Sequence, residues 1–468
     1  MGEWMKGYRH IVFIAILFLW VGCKEYQVSD DASLRLSFSC DTLCFDTVFT
    51  EQGSATAQVM VYNRNKNAVV VDQVWVEGFF FQVNVDGEAD LSKITHLQIN
   101  GGDSAFVFVR VDIDPTKQNN PVLISEKLHF HLRSGNTQQV VMEAYGQDVK
   151  RIQSKSGRSD FASYHFTNKK PYLIYDTVVV GNVVLDAGAR LYMHKSASIY
   201  AVGDVTAKGT KDAPVIIQPD RLDNLFDSVP YRFASGGWNG IYLQATDSQI
   251  YDLQYTDILS GNVGLYCMSD RKENLPRLTM NGCRIHNHAV YGLVLLNVNA
   301  TVINSEISNC ASYCVYCQGG KHDFIHTTIA SYYGQTNVRI QSTGKEDVAA
   351  VYVHNLSKET PQTVTSFYNS IICGPREKEL VLATPFEQYY PGTIEGSWIG
   401  QDTTEHVFRN TYYEYKKYVY YDFHPDSLSP ARGIGENEIA KNYPVDRDSV
   451  ARVGEGIKPD AGCYQYLP

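Results

Sequence analysis

The chain has 468 residues, a length that predicts two or three domains rather than one. Its 51 acidic and 41 basic residues give a formal net charge of −10, and the basic residues form no stripe. This balance argues against nucleic acid as a partner, because phosphate binding requires clustered Lys and Arg. The 32 Tyr residues and the many segments rich in Val, Ile and Thr favour β-strands. The composition therefore predicts a protein that is mostly β.

The N-terminus combines a basic start with a short apolar run. Lys6, Arg9 and His10 precede an unbroken apolar stretch from Ile11 to Gly22. Twelve helical residues extend about 18 Å, which is too short for a hydrocarbon core of roughly 30 Å. The pattern therefore predicts a cleaved signal peptide at residues 1–22.

Cys23 follows this run as the last residue of Val21-Gly22-Cys23, the end of a lipobox. Such a sequence predicts cleavage before the cysteine and lipid attachment to Cys23. The acyl chains would anchor the protein to a membrane, with residues 23–33 as a tether. An uncleaved anchor and a secreted protein with a free thiol are the alternatives. The expected location is the bacterial cell envelope, with the outer membrane favoured.

The ten cysteines suggest neither a metal site nor a disulfide framework. Cys314 and Cys317 have the spacing of a zinc or redox pair, but no second pair follows at zinc-module distance. Cys40 and Cys44 are about 13 Å apart in an extended strand, which is beyond disulfide reach. We therefore predict no metal site and interpret most cysteines as core residues.

Residues 34–149 show short segments in which apolar and polar residues alternate. Val107, Val109 and Val111 share one strand face, whereas Phe106 and Phe108 lie on the other. Six to eight such strands over about 115 residues predict an immunoglobulin-like β-sandwich. The polar segment 150–170 has little periodicity and is interpreted as a linker.

Beyond residue 170 the main feature is a 22-residue repeat. Ile285, Ile307 and Ile329 are each 22 residues apart, and Asn287 and Asn309 keep the same interval. Three short strands per repeat, stacked at about 4.8 Å, are what a three-sided parallel β-helix requires. The repeat predicts such a helix over residues 171–400, followed by a C-terminal cap region at 401–468.

Two interior ladders and one turn ladder follow from this period. The interior ladders are expected to consist of Ile258, Ile285, Ile307 and Ile329, and of Cys267, Leu295 and Cys317. Asn287 above Asn309 is expected to form a turn ladder with left-handed backbone, whose amides hydrogen-bond along the axis.

Three stretches resemble lipoproteins of the Bacteroidota with an immunoglobulin-like domain and a right-handed parallel β-helix of the pectate-lyase-like fold. Phe45-Asp-Thr-Val-Phe49 is similar to the family's first domain, and Gly236-Gly-Trp-Asn-Gly-Ile-Tyr242 is similar to an early rung. Ser427-Leu-Ser-Pro-Ala-Arg-Gly433 and Pro459-Asp-Ala-Gly-Cys-Tyr-Gln465 resemble the family's closing signature. The resemblance implies an all-β chain with a right-handed helix and says little about activity.

The motifs of polygalacturonase-type hydrolases and pectate lyases are absent. The one Asp-Asp pair is Asp30-Asp31, and Arg284-Ile285-His286 has His where the hydrolase pattern has Lys. The residues that remain as candidates for an enzyme groove are Asp252, Asp257, Arg284, His286, His288 and His326. The alternative is that these are solvated positions or satisfied turn residues. The acidic loop from Asp220 to Ser228 suggests calcium, but its spacing matches no known calcium loop.

Binding of an extended ligand is the competing class of function. Arg284 and His286 are the candidate polar contacts, and Tyr412 and Tyr415 in a dense Tyr run are the candidate sugar platforms. Strand filling is the plainer interpretation of that run. We therefore predict an anchored, non-catalytic protein that binds extended glycans or an envelope protein and needs no cofactor. A polysaccharide lyase or glycoside hydrolase is the alternative.

Overall fold

The computed structural model describes residues 27–226, 229–333, 348–355, 362–383, 392–402, 407–410 and 422–468. Cys23, Tyr412 and Tyr415 lie outside the described residues, as do the predicted signal peptide and residues 23–26 of the tether. Within the described ranges, no helix combines the length and apolar character needed to cross a bilayer. The chain divides into two compact units between Gln147 and Asp148.

The N-terminal unit contains two β-sheets that share one core. The four-stranded sheet has the order Ser37–Phe38, Ala57–Tyr62, Ser104–Val111 and Phe81–Val85, all antiparallel. The five-stranded sheet has the order Thr42–Phe49, Thr137–Gln147, Val122–Leu132, Val69–Glu77 and Leu97–Ile99, of which only the first pair is parallel. A short 3-10 helix spans Leu91–Lys93.

Alternation along the strands decides which side chains fill this core. Val107, Val109 and Val111 are fully buried, whereas Phe106 and Phe108 on the opposite face are exposed. The core also takes Leu128 and other inward residues of the five-stranded sheet. The predicted strand faces are therefore confirmed, because period-two patterning determines orientation once one face is buried.

The second unit is built from long parallel sheets whose strands form three columns, an arrangement consistent with a parallel β-helix. Column A consists of Lys150–Ile152, Tyr172–Ile174, Arg190–Met193, Val215–Pro219, Thr256–Leu259, Arg284–His288, Glu306–Cys310, Thr328–Ala330, Ile371–Gly374 and Trp398–Gln401. Column B consists of Ser198–Ala201, Gly240–Ala245, Val263–Ser269, Tyr291–Leu296, Val315–Gln318, Val351–His354 and Leu380–Ala383. Column C consists of Val205–Lys208, Ile250–Gln254, Arg277–Asn281, Asn299–Ile303, Gly320–Ile325, Thr363–Tyr368 and Ile394–Glu395.

Columns B and C begin from two long strands that they share. Arg158–Phe166 pairs in parallel with Thr177–Leu185. The first half of Thr177–Leu185 then pairs with the first strand of column B, and its second half pairs with the first strand of column C. Outside the columns lie the hairpin Asn224–Phe226 with Val229–Pro230, the 3-10 helix Tyr231–Phe233, the pair Phe408–Asn410 with Asp422–Pro425, and the α-helix Asn437–Ala440.

The linker prediction for residues 150–170 is wrong. Lys150–Ile152 pairs in parallel with Tyr172–Ile174, and Arg158–Phe166 pairs with Thr177–Leu185, so these residues form the first turn of the stacked structure. The segment has few aliphatic residues because only a few positions, among them Ile152 and Phe166, face the core. With so few core-facing apolar residues, the segment shows no period from which its strands could be predicted.

The predicted interior ladders are confirmed residue by residue. Ile258, Ile285, Ile307 and Ile329 are in register on successive strands of column A. Cys267, Leu295 and Cys317 are in register in column B. All of these side chains are buried in one continuous core, and the cysteines are unpaired thiols.

The turns carry residues with left-handed backbone. Asn287 and Asn309 have φ of 64° and 52°, as predicted for a turn ladder. Their amides do not join each other along the axis: Asn287 donates to Ser260 Oγ and Phe233 O, and Asn309 accepts from the amide of Tyr332. Asn and His tolerate this conformation better than β-branched residues do.

The described part of the C-terminal region packs along the outward face of column A instead of closing an end of the stack. Cys463 N bonds Thr328 Oγ1, Gly462 N bonds Asn369 O, and Arg447 Nε bonds Gly282 O. Buried apolar residues of both partners, among them Ile371 and Cys463, form one cluster. The expectation that these residues form a terminal cap is therefore wrong. The closing signature that they contain packs against column A.

Candidate functional site

The outward positions of column A carry the predicted binding residues Arg284 and His286. Strand pairing aligns Asp257, Arg284 and Glu306 in one ladder, with His286 and Ser308 in the next ladder. Arg284 Nη2 donates to Asp257 Oδ2 at 2.9 Å. The structure therefore brings Asp257, Arg284 and His286 together, as the sequence suggested.

The C-terminal region completes this cluster from the other side. Arg447 Nη2 donates to the second oxygen of Asp257 at 2.8 Å, and the Tyr464 hydroxyl donates to Glu306 Oε2 at 2.8 Å. The Ser308 hydroxyl donates to Glu306 Oε1 at 2.6 Å. Both carboxylates are almost fully buried. We call these residues, together with Arg284 and His286, the column A cluster.

Burial and pairing change the proton affinities of this cluster. Burial lowers the pKa of His286 to about 4, so its ring is neutral at pH 7. Burial alone would raise the pKa of Glu306, but the nearby Arg284 charge and the Ser308 hydrogen bond hold it below its usual value. Glu306 is therefore a buried carboxylate that stays ionised.

His424 sits in a second charged group at the edge of the cluster. Its ring bonds Asp422 at 2.5 Å and Asp448 at 2.9 Å and stacks on Tyr464, with 4.1 Å between centroids. Burial opposes its protonation, yet the hydrogen bonds to the two carboxylates raise its pKa to about 9. His424 therefore carries a positive charge at pH 7.

The column A cluster has the chemistry of a structural joint rather than of a catalytic site. All four carboxylate oxygens of Asp257 and Glu306 accept hydrogen bonds and both groups are almost fully buried, so a substrate cannot come within hydrogen-bond reach of either as a general base. Such a buried network is costly to break but offers no oxygen to a substrate. It joins the closing signature to the β-helix.

Column C presents a different surface, a shallow groove with a cavity volume of about 630 Å³. Its central ladder is polar and consists of Asp252, Thr279, Thr301 and Asp323. Arg277 and Lys321 flank it, and Lys321 pairs with Asp323 at 3.1 Å. Asp252 and Asp323 are three rungs apart, roughly 14 Å at the usual strand spacing, which is beyond the 6.5–9.5 Å of an inverting carboxylate pair.

Column B presents a stripe of tyrosines. Tyr200, Tyr242 and Tyr266 are in register on successive strands, followed by Val294, Tyr316 and Tyr352. A second pair, Tyr291 and Tyr313, lies beside them with parallel rings and centroids 6.2 Å apart. We call these seven tyrosines the tyrosine stripe.

Neighbouring rings of the stripe contact one another and remain partly exposed. Tyr200 and Tyr242 stack with centroids 4.6 Å apart and 10° between their planes, and Tyr242 and Tyr266 lie 5.9 Å apart. Each tyrosine of the stripe is of intermediate exposure. Burial raises the pKa of the Tyr242, Tyr266 and Tyr316 hydroxyls, so they are protonated hydrogen-bond donors at neutral pH.

The sequence carries a signal for the stripe, although none of its tyrosines was among the predicted binding residues. Tyr242, Tyr266 and Tyr316 occupy the same position in Gly-Ile-Tyr-Leu, Gly-Leu-Tyr-Cys and Cys-Val-Tyr-Cys. In each strand the neighbours on both sides of the tyrosine face the core, so the tyrosine must face outward.

The other sequence candidates are dispersed. Asp252 lies in the column C groove, whereas His288 and His326 are buried at turns. His288 bonds backbone groups of Ile258 and Gly261, and His326 bonds Asn369. His288 is therefore a satisfied turn residue, the alternative that the sequence had left open, whereas the buried Nδ1 of His326 has no hydrogen-bond partner within the described part of the chain.

The described acidic residues of the proposed calcium loop pair with other side chains, whereas Asp227 lies outside the described residues. Asp220 Oδ2 bonds His194 Nδ1 at 2.7 Å, and Asp223 pairs with Arg221. Among the described residues, no group of three or more His, Cys, Asp or Glu side chains is arranged to hold a metal ion.

Comparison with known proteins adds little. No protein-family model matches the chain, and no curated protein matches it. Among solved structures, similarity extends to a protein of unknown function from Porphyromonas gingivalis W83 at 11% identity and a TM-score of 0.19, covering 26% of this chain and 50% of that one. A family 123 glycoside hydrolase from Clostridium perfringens gives 7% identity and a TM-score of 0.19, covering 26% and 30%.

The periplasmic chaperone SfaE is similar at 8% identity and a TM-score of 0.18, covering 24% of this chain and 57% of the chaperone. In all three cases the match spans less than two thirds of the other protein. Similarity at this level carries no argument about fold or activity.

Proposed function

We propose that this protein is an exported, lipid-anchored protein of the bacterial cell envelope that holds extended polysaccharide on the tyrosine stripe without cleaving it. The observation that carries the proposal is the line of partly exposed tyrosines along one face of the parallel stack. Tyr combines an apolar ring with a hydroxyl that bonds sugar oxygens, and it loses little conformational entropy on binding.

The dimensions of the stripe suit a chain-like ligand. From Tyr200 to Tyr352 the ladder crosses five strand intervals, which is roughly 24 Å. A surface of this length favours a long ligand that makes many weak contacts over a small molecule. The other faces support a binding function less well, since column A is covered by the closing signature.

The anchor part of the proposal is supported by the sequence. The basic start, the twelve-residue apolar run and Val21-Gly22-Cys23 agree with a lipoprotein signal. The resemblance to Bacteroidota lipoproteins supports an outer-membrane location, a right-handed helix, and an immunoglobulin-like fold for the two sheets of residues 34–149. Right-handed connections are also the rule for parallel strands.

Substitutions in the stripe test the binding function. We expect Tyr242→Ala and Tyr316→Ala each to weaken retardation in polysaccharide affinity gels about fivefold, because each removes about 1 kcal/mol of ring contact. The matched control is Tyr368→Ala, which removes an outward, partly exposed tyrosine of column C. It is expected to leave retardation unchanged.

Three outcomes would contradict the binding proposal. No retardation by any polysaccharide would refute it and favour a protein partner. Equal losses in all three variants would refute the role of the stripe. Release of new reducing ends or of unsaturated uronic products would refute the absence of catalysis.

Lipid attachment is tested separately. We expect metabolic labelling with a radioactive or clickable fatty acid to mark the wild-type protein, and Cys23→Ala to abolish the label and release the protein from the membrane fraction. Cys44→Ala is the matched control, because Cys44 is an exposed thiol within the described residues. Retention of the label in Cys23→Ala would refute the anchor.

A further inference from the structure

The three outward faces of the parallel stack differ in charge. Column C carries Asp252, Arg277, Lys321 and Asp323 in its groove. Column A carries the buried carboxylates of Asp257, which pairs with two arginines, and of Glu306, which accepts a hydrogen bond from Tyr464. By contrast, the six strands of column B that contain or align with the stripe have no Asp, Glu, Lys or Arg at any position.

A second outward ladder of column B continues this pattern. Two residues beyond the tyrosines, Gln244, Met268, Leu296, Gln318 and His354 are in register. These side chains are amide, thioether, aliphatic and imidazole groups. The charged residues nearest in the chain follow the ends of these strands: Asp270 comes directly after Ser269, and Asp247 and Arg271 pair with each other at 3.2 Å.

An acidic polysaccharide has no partner on such a surface. Recognition of carboxylate or sulfate groups requires Arg or Lys, because these form strong charge-assisted hydrogen bonds. The net charge of −10 also disfavours the approach of a polyanion. Ring faces, hydroxyls and amides are the groups that contact uncharged sugars.

We infer that the ligand of the tyrosine stripe is a neutral polysaccharide, and that the absence of charge on column B selects it against acidic chains. This inference rests on the proposed glycan-binding function. It adds the chemical class of the ligand and a mechanism for its selection. Affinity is set by uncharged contacts and is therefore nearly independent of ionic strength.

The test compares chains that differ only in charge. The wild-type protein, produced from Lys24 onward, is run in affinity gels that contain a neutral glucan, xylan or mannan, and in gels with the carboxylate-oxidised derivative of the same chain. We expect retardation by at least one neutral chain, at least a tenfold weaker effect of its oxidised form, and no change of the neutral result between 50 and 500 mM salt.

Charge substitutions at Gln244 test the mechanism in the same gels. Gln244 is exposed and lies two residues beyond Tyr242 on the same face. We expect Gln244→Lys to strengthen binding of the oxidised chain about fivefold at low salt and Gln244→Glu to weaken it further, with both effects lost at high salt. Asn299→Lys in the column C groove is the matched control and should change neither result.

The outcomes separate this inference from the proposed function. If no polysaccharide retards the protein, the proposed function fails and the inference fails with it. If the oxidised chain binds as tightly as the neutral one, or more tightly, glycan binding stands and the inference is overturned. If Gln244→Lys and Gln244→Glu act alike, charge on column B does not set the selectivity, and the mechanism is refuted.

Discussion

Replacing Glu306 by alanine is expected to lower the free energy of unfolding of the second unit by about 3–6 kcal/mol, because it removes two buried hydrogen bonds to a charged group and each contributes about 1.5–3 kcal/mol. Glu306 is buried and accepts hydrogen bonds from Ser308 and Tyr464. Its removal leaves two buried hydroxyls without acceptors and removes the negative charge that compensates Arg284 and Arg447.

The closing signature should respond more strongly than the rest of the unit. Because Tyr464 contacts column A through Glu306, we expect limited proteolysis to cut Glu306→Ala first within residues 422–468. The urea midpoint and the cleavage sites are the measurements. Glu438→Ala is the control, since Glu438 is 83% exposed and pairs only with Lys441; its cost should stay within about 0.5 kcal/mol. A loss below 1 kcal/mol in Glu306→Ala would show that the network does not stabilise the joint.

Acid should destabilise the second unit between about pH 6.5 and pH 4, because four histidines of its described part, three of them buried and His286 only 17% exposed, stay neutral when folded. Burial lowers the pKa of His286 to about 4, of His288 to about 3 and of His322 to about 4, and it lowers that of His326 as well. Unfolding exposes these rings, which then bind protons near pH 6.5.

The sign of the effect follows from proton counts. Below pH 6.5 the unfolded state binds more protons than the folded state, so stability is fully present above pH 6.5 and is lost as pH falls. A histidine displaced from 6.5 to about 4 contributes about 3 kcal/mol. The lowered pKa of Glu306 acts in the same direction below about pH 4.5. The raised pKa of His424 contributes stability that is fully present below pH 6.5 and is lost as pH rises from there through about 9.

Urea midpoints measured from pH 7.5 to pH 4.5 test this dependence. We expect the midpoint to fall steeply with acid, and His322→Gln to reduce the slope by about one proton, because His322 is fully buried and bonds only Thr365 through Nδ1. His165→Gln is the control, since that side chain is 56% exposed. A midpoint that stays constant between pH 7 and pH 5 would contradict a role for the buried histidines.

The repeat made much of the second unit predictable. A strict 22-residue interval places Ile285, Ile307 and Ile329 in register, because parallel stacking aligns equivalent positions whatever the rest of each turn contains. The left-handed backbone of Asn287 and Asn309 was predictable for a local reason, since Asn tolerates that conformation. The first strand of column A was missed because Lys150–Ile152 is too short to show a period.

The candidate sites were only partly predictable. Sequence alone determined the all-β composition, the ladders and the juxtaposition of Arg284 with His286, since residues two apart in a strand share a face. Only the tertiary structure decided that Arg447 and Tyr464, more than 150 residues further on, bond Asp257 and Glu306 beside these two residues. The tertiary structure also decided that the tyrosine stripe of column B stays exposed, because its exposure depends on which of the three faces the closing signature covers. Contacts between distant segments arise when whole surfaces pack together, and a local sequence pattern does not predict them.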